Sequence, residues 1–247
     1  MRSRGIGRAL LVGVLMTLAA CGSKPATTPD ANASGSVRER AVSFETSDGV
    51  RLTGRLFGSS RVGVTLAHMY PADATSWYPF ARKLAESGYM ALAFNFRGFA
   101  DSQGQKNIPK TPIDVAAAKQ FLKQAGARDV AFVGASMGGT ASIVAAQTED
   151  PVAVVTVSAP LRFMGLDAVP ATTSVQRPVL VMASKDDPSG AFAALQQFAL
   201  DLPNPVTRVY AGDAHGTNLL SARPGAVDEI ITFLRRWAPV NPPTTTP

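Results

Sequence analysis

The sequence predicts an α/β fold: a mostly parallel sheet of about eight strands, opened by an antiparallel hairpin and covered by helices on both faces. Three observations point there. Short apolar runs of the length of buried strands alternate with segments whose apolar residues recur three and four positions apart. The first two runs are separated only by a turn signal, Ser47-Asp48-Gly49, which pairs them as a hairpin. The 247 residues, 46% of them apolar, are enough to bury one full core and suit one domain better than two.

The hairpin comprises Val42 to Thr46 and Val50 to Phe57. Val62 to Ala67 is the next buried strand, followed by His68-Met69-Tyr70-Pro71 and a helix in which Trp77, Phe80, Ala81, Leu84 and Ala85 share the core-facing side. The strand Tyr89 to Asn95 leads into a polar, glycine-containing loop, Phe96 to Gly104, and then a helix carrying Val115, Ala118, Leu122 and Ala125. Val130 to Val133 is a strand of the kind buried on both faces, and a helix of small residues follows it after a sharp turn. Val152 to Val157 is another buried strand. Only about twenty residues separate it from the strand Val179 to Ala183, too few for a separate cap domain, so an open site is expected. A helix over Ala191 to Leu200, a strand over Val206 to Tyr210 and an amphipathic helix with Val227, Ile230, Ile231, Leu234 and Trp237 complete the alternation.

The two ends have different compositions. Arg2, Arg4 and Arg8 precede a twelve-residue apolar run, too short to span a bilayer, so residues 1–20 read as a signal peptide. The following Leu18-Ala19-Ala20-Cys21-Gly22 resembles the lipobox of bacterial lipoproteins, in which cleavage leaves the cysteine N-terminal and lipid-modified. That resemblance implies export and an anchor at Cys21 on the outer face of the cytoplasmic membrane or another cell-envelope membrane. Cys21 is the only cysteine and makes no intramolecular disulfide; the alternative is an ordinary secretory signal with an incidental cysteine. Residues 21–40 form a tether rich in Gly, Ser, Pro, Thr and Ala, and residues 238–247 a proline-rich disordered tail, which leaves 41–237 as the folded domain. Removing the leader takes the net charge from +6 to a balance of 21 basic and 18 acidic residues. The remaining cations are scattered, with no basic stripe, and this argues against nucleic acid as a partner.

The chemistry centres on Gly134-Ala135-Ser136-Met137-Gly138, a G-x-S-x-G motif between a strand and a helix. Such a turn holds a serine in a strained conformation with its hydroxyl exposed, and the flanking glycines let helix and strand approach each other. A serine hydroxyl needs a base to accept its proton. Of the two histidines, His68 precedes the serine, whereas His215 follows a strand downstream and is the candidate base. The base needs a carboxylate to orient it. Asp186 and Asp187, just past the strand ending near Ser184, are the candidates. Asp213, Asp101 and Asp114 read as turn, loop and helix-surface residues.

The order serine, acid, histidine, together with SWYPFARKLAESGYMALAFNFRGFADSQG and GDAHGTNLL, resembles the α/β-hydrolase superfamily over about residues 42 to 237. The likeness is to its small cap-free esterases and dienelactone-hydrolase-like members. It implies the triad Ser136, Asp187 and His215, Asp187 standing three residues after Ser184 as the acid usually does in this turn. It also implies an oxyanion hole of two backbone N–H groups, one from Met137 and one from the loop after the third strand. The family usually has His-Gly there before the donor; this chain has His68-Met69-Tyr70, which makes Tyr70 the donor with Met69 as the alternative. Asn95 stands where an aspartate is common, and a serine nucleophile departs from dienelactone hydrolase itself, which uses cysteine.

The activity so implied is hydrolysis of an ester-type bond, a carboxylic ester, thioester or amide, in a small molecule through an acyl-enzyme, with no cofactor or metal. A second reading is a non-catalytic, lipid-anchored binding protein that keeps the fold. Nucleotide binding at the glycine-rich turn fares worst, since Ser136 stands where a dinucleotide fingerprint needs glycine and no Gly-Lys-Ser/Thr occurs.

Overall fold

The structure, a computed structural model, describes residues 37–240. The leader 1–20, Cys21, most of the tether and tail residues 241–247 lie outside the described residues. Eight strands form one sheet: β1 (Glu39–Glu45), β2 (Arg51–Phe57), β3 (Val62–Ala67), β4 (Met90–Phe94), β5 (Asp129–Ala135), β6 (Val154–Val157), β9 (Val179–Ser184) and β10 (Pro205–Tyr210). Their spatial order is β1-β2-β4-β3-β5-β6-β9-β10. The pairs β1–β2 and β2–β4 are antiparallel, and every other pairing in this sheet is parallel.

Both faces of the sheet are covered. Along β5, Val130 and Phe132 pack on one side with α2 (Thr111–Gln124), α3 (Met137–Glu149) and α5 (Ala191–Asp201). Ala131, Val133 and Ala135 alternate to the other side, where α1 (Tyr78–Glu86), α6 (Thr217–Ala222) and α7 (Pro224–Trp237) pack. A strand apolar on both faces is what this sandwiching requires. Trp77 is fully buried, as its place in the helical stripe predicts.

Between β6 and β9 there is no separate cap. The chain makes a small hairpin, β7 (Arg162–Phe163) with β8 (Leu166–Asp167), and a single helical turn, α4 (Val169–Thr172). Phe163 and Leu161 pack on the apolar cluster that contains Met137 and Ile108, so the hairpin lies against the start of α3.

Three expectations are corrected. The folded body begins inside the stretch assigned to the tether, because Glu39 and Arg40 pair with Phe57 and Leu56, and a backbone ladder needs no apolar side chain. At the other end Ala238 is 1% exposed and Val240 packs near Gly88, inside the stretch assigned to the tail. Asp114 is fully buried rather than on a helix surface. Its carboxylate accepts from the Arg97 guanidinium, Nε at 2.8 Å and Nη2 at 2.6 Å, and from the Arg97 N–H at 3.0 Å. The same guanidinium donates to Asp48 at 2.8 and 2.9 Å, tying the turn of the first hairpin and the loop after β4 to α2.

Candidate active site

The end of β5 and the start of α3 meet at Ser136, whose backbone sits at φ 48° and ψ −119°. A positive φ is costly for a residue with a Cβ, and it persists only where its surroundings impose it. Here the Ser136 N–H donates to the Val157 carbonyl at 2.8 Å, while its own carbonyl accepts from Gly139 at 2.9 Å and Thr140 at 3.1 Å. A Cβ on Gly134 would collide with the Gly138 carbonyl, and a Cβ on Gly138 with the Ala67 carbonyl. The glycines therefore let α3 press onto both β5 and the end of β3. Met137 is the first residue of α3, so its N–H has no acceptor within the helix.

The turns after β9 and β10 are laced together. Lys185 N–H donates to the Tyr210 carbonyl at 2.8 Å, Asp186 N–H to Gly212 at 3.0 Å, and Ser184 Oγ to Ala214 at 2.7 Å. This lacing brings His215 Nδ1 to 2.7 Å from Asp187 Oδ2. A carboxylate only accepts, so Nδ1 carries the proton and Nε2 is left as the acceptor. Asp186 is exposed, and it is Asp187 that meets the histidine. The other Asp187 oxygen accepts from the Ser189 N–H at 2.9 Å and from Ser189 Oγ at 2.7 Å, and Ser189 Oγ is also 3.1 Å from His215 Nδ1. Burial pushes the Asp187 carboxyl up, but the two Ser189 donors and the imidazole outweigh it and hold the group below its ordinary value. Ser189 was missed by sequence reasoning. Its signal was present in Asp187-Pro188-Ser189, because an aspartate commonly accepts from the backbone two residues on.

The loop after β3 supplies the third part. His68 is fully buried. Its Nδ1 donates to the Met69 carbonyl at 2.9 Å, and its Nε2 accepts from the Phe96 N–H at 3.2 Å. Burial lowers its pKa to about 4, so it is neutral at pH 7 with both nitrogens engaged in holding the loop. Asn95 accepts from the Ala74 N–H at 2.9 Å and donates to Thr53 Oγ1 at 3.1 Å, a pairing that uses both ends of an amide where a carboxylate has no donor. The Met69 side chain lies against the histidine loop: a Cβ on Gly216 would strike its sulfur, and Thr217 Oγ1 donates to Sδ at 3.8 Å. Tyr70 is half-exposed beside the aromatic rings of Phe99 and Phe163.

Ser136, Asp187, His215, Met137 and Tyr70 thus all stand at the ends of parallel strands on one edge of the sheet. Among the described residues no hydrogen bond joins Ser136 Oγ to His215; such bonds are often long until a substrate is bound. A cavity of about 480 Å³ lined by Leu180, Val206, Phe233 and Trp237 lies at the opposite ends of β9 and β10 and is no part of this site. Among the described residues, no group of three or more His, Cys, Asp or Glu side chains is placed to hold a metal.

A family model described as the alpha/beta hydrolase fold matches residues 64–178, a span that contains Ser136 and ends before Asp187 and His215. No curated protein matches the chain by sequence. Solved structures do match it in three dimensions. An esterase of Pyrococcus furiosus is 20% identical, with a TM-score of 0.72 over 82% of this chain and 92% of that one. A predicted CIB-like hydrolase of Thermoplasma acidophilum is 18% identical, with a TM-score of 0.68 over 81% and 99%. An esterase of Exiguobacterium antarcticum is 13% identical, with a TM-score of 0.69 over 78% and 99%. At these identities the likeness is one of fold.

Proposed function

We propose, from the premise that this chain has the α/β-hydrolase fold, that it is a serine hydrolase of ester-type bonds in small molecules. Ser136 Oγ attacks the carbonyl carbon while His215 Nε2 takes its proton, and Asp187 stabilises the imidazolium that forms. The N–H groups of Met137 and Tyr70 receive the charge developing on the carbonyl oxygen, with Met69 as the alternative to Tyr70. His215 then protonates the departing group, and water, activated by the same imidazole, releases the acid from the acyl-enzyme.

The observation that carries this reading is a strained serine, at φ 48°, on the sheet edge that also holds a buried carboxylate hydrogen-bonded to a histidine. Core packing has no use for that strain. Two of the structural neighbours are esterases, which favours ester substrates here too. The serine sets the reading with the esterases rather than with dienelactone hydrolase. The sequence Leu-Ala-Ala-Cys ending at Cys21 supports an exported protein held to an envelope membrane by lipid.

Wild-type protein should hydrolyse a short-chain 4-nitrophenyl ester and take up a fluorophosphonate stoichiometrically at Ser136. Ser136→Ala should abolish both with thermal stability unchanged, and His215→Ala should lose nearly as much activity, since the members of a triad act as a unit. A folded wild type that ignores the probe would overturn the reading in favour of a binding protein. Hydrolysis surviving Ser136→Ala would put the chemistry elsewhere.

A further inference from the structure

Three rings from three different loops meet beside the backbone of residue 70. The Tyr70 ring stands edge-on to Phe99 at 5.9 Å and lies 5.7 Å from Phe163, the first residue belonging to the loop after β3, the second to the loop after β4, the third to the β7–β8 hairpin. Phe99 is buried beneath the others at 4% exposed and Phe163 is partly buried, while Tyr70 is 38% exposed and Met164, at the tip of the hairpin, 62%.

A cation lies over this surface. Lys106 Nζ is 4.5 Å from the Phe99 ring centre and 5.8 Å from that of Tyr70. The ring faces attract and orient the ammonium but leave its N–H donors unused. Nearby cations are neutralised: Lys110 pairs with Asp48 at 3.2 Å and Arg162 with Asp167 at 3.0 Å. Among the described residues Lys106 is in no ion pair; Asp73, on the Tyr70 loop, keeps its charge and accepts from the Thr75 N–H and hydroxyl instead. An apolar wall with a cation held in no ion pair at its rim complements an apolar group that ends in an anion.

This arrangement bears on substrate choice if Ser136 is the nucleophile, so the inference rests on the hydrolase reading. With the scissile carbonyl oxygen at the N–H of residue 70 or of its neighbour Met69, the adjoining part of the substrate runs along the exposed Tyr70 ring and the edge of Phe163, with Lys106 and the buried Phe99 behind them. We propose that Lys106 and this aromatic wall select esters whose apolar group, next to the scissile bond, ends in a carboxylate.

The test uses 4-nitrophenyl monoesters of adipate and suberate beside the same compounds with the free carboxylate methyl-capped. The readout is the ratio of kcat/KM for the charged over the capped ester within each protein, so a variant that folds poorly lowers both together. Wild type should favour the charged ester by about fivefold at low salt, the size expected for one exposed ion pair, and lose the preference near 1 M salt. Lys106→Met should bring the ratio close to one, and Lys106→Glu should invert it. Phe163→Ala should slow both esters. A wild type that is labelled at Ser136 by a fluorophosphonate yet shows no preference overturns this inference alone, as does a preference that survives Lys106→Glu. A wild type that is not labelled overturns the hydrolase reading and this inference with it.

Discussion

Asp187 owes its orientation toward His215 to Ser189, two residues on. Ser189 fixes one carboxylate oxygen with two hydrogen bonds and leaves the other for His215. Replacing Asp187 by Asn should preserve the fold but present the wrong histidine tautomer, costing on the order of 10⁴ in turnover, whereas Asp186→Asn should cost far less. Ser189→Ala removes one of the donors that hold the Asp187 carboxyl below its ordinary value. With one donor fewer the carboxylate is held less firmly against His215, so kcat should fall several-fold with KM for a small ester unchanged, and Ser189→Thr should restore it. An unchanged kcat would make Ser189 a bystander. At this scale the sequence was legible wherever residues act through chain order. Ser136, the acid and His215 follow one another past successive strand ends, so position could nominate them. Lys106, Phe99, Phe163 and Tyr70 converge from three loops, and no local pattern relates them.

The elements were legible through periodicity and illegible where pairing alone makes them. The buried strand Val62–Ala67 is as its apolar run predicts, because burial on both faces writes itself into every residue. β7 and β8 are two residues each, too short for any period, and β1 begins with exposed charged residues that the ladder to β2 holds in place. Asp114 looked like a surface carboxylate because its partner, Arg97, lies in a loop whose path only the fold decides. That partnership predicts a large effect. Arg97→Met leaves Asp114 buried without its counter-charge, so unfolding in denaturant should show a loss of about 3–5 kcal/mol. In wild type the Arg97 guanidinium, assisted by Thr46, holds the Asp48 carboxyl well below the ordinary carboxylate range. A depressed value stabilises the folded state above the ordinary value of about 3.9 and is lost as pH falls below it, so acid sensitivity from this pair should set in under about pH 4 and vanish in Arg97→Met.

Across the whole molecule, the strand directions sort its parts to opposite ends. β1 starts beside Phe57, which pairs with Ala91 near the start of β4, whereas Ser136, Asp187 and His215 follow the strands' far ends. Val240 packs near Gly88, again before β4 begins. The described body therefore begins and ends on the side away from the edge that carries Ser136, Asp187 and His215, separated from it by the length of a six-residue strand, about 20 Å. Cys21→Ser should accordingly move the protein from the membrane fraction to the soluble one with kcat/KM toward a small ester unaltered, and retention with membranes would refute the lipid anchor. The same geometry makes both ends of the described body suitable handles: a bead, surface or fluorescent partner joined ahead of Val37 or behind Val240 attaches on the side of the sheet opposite Ser136.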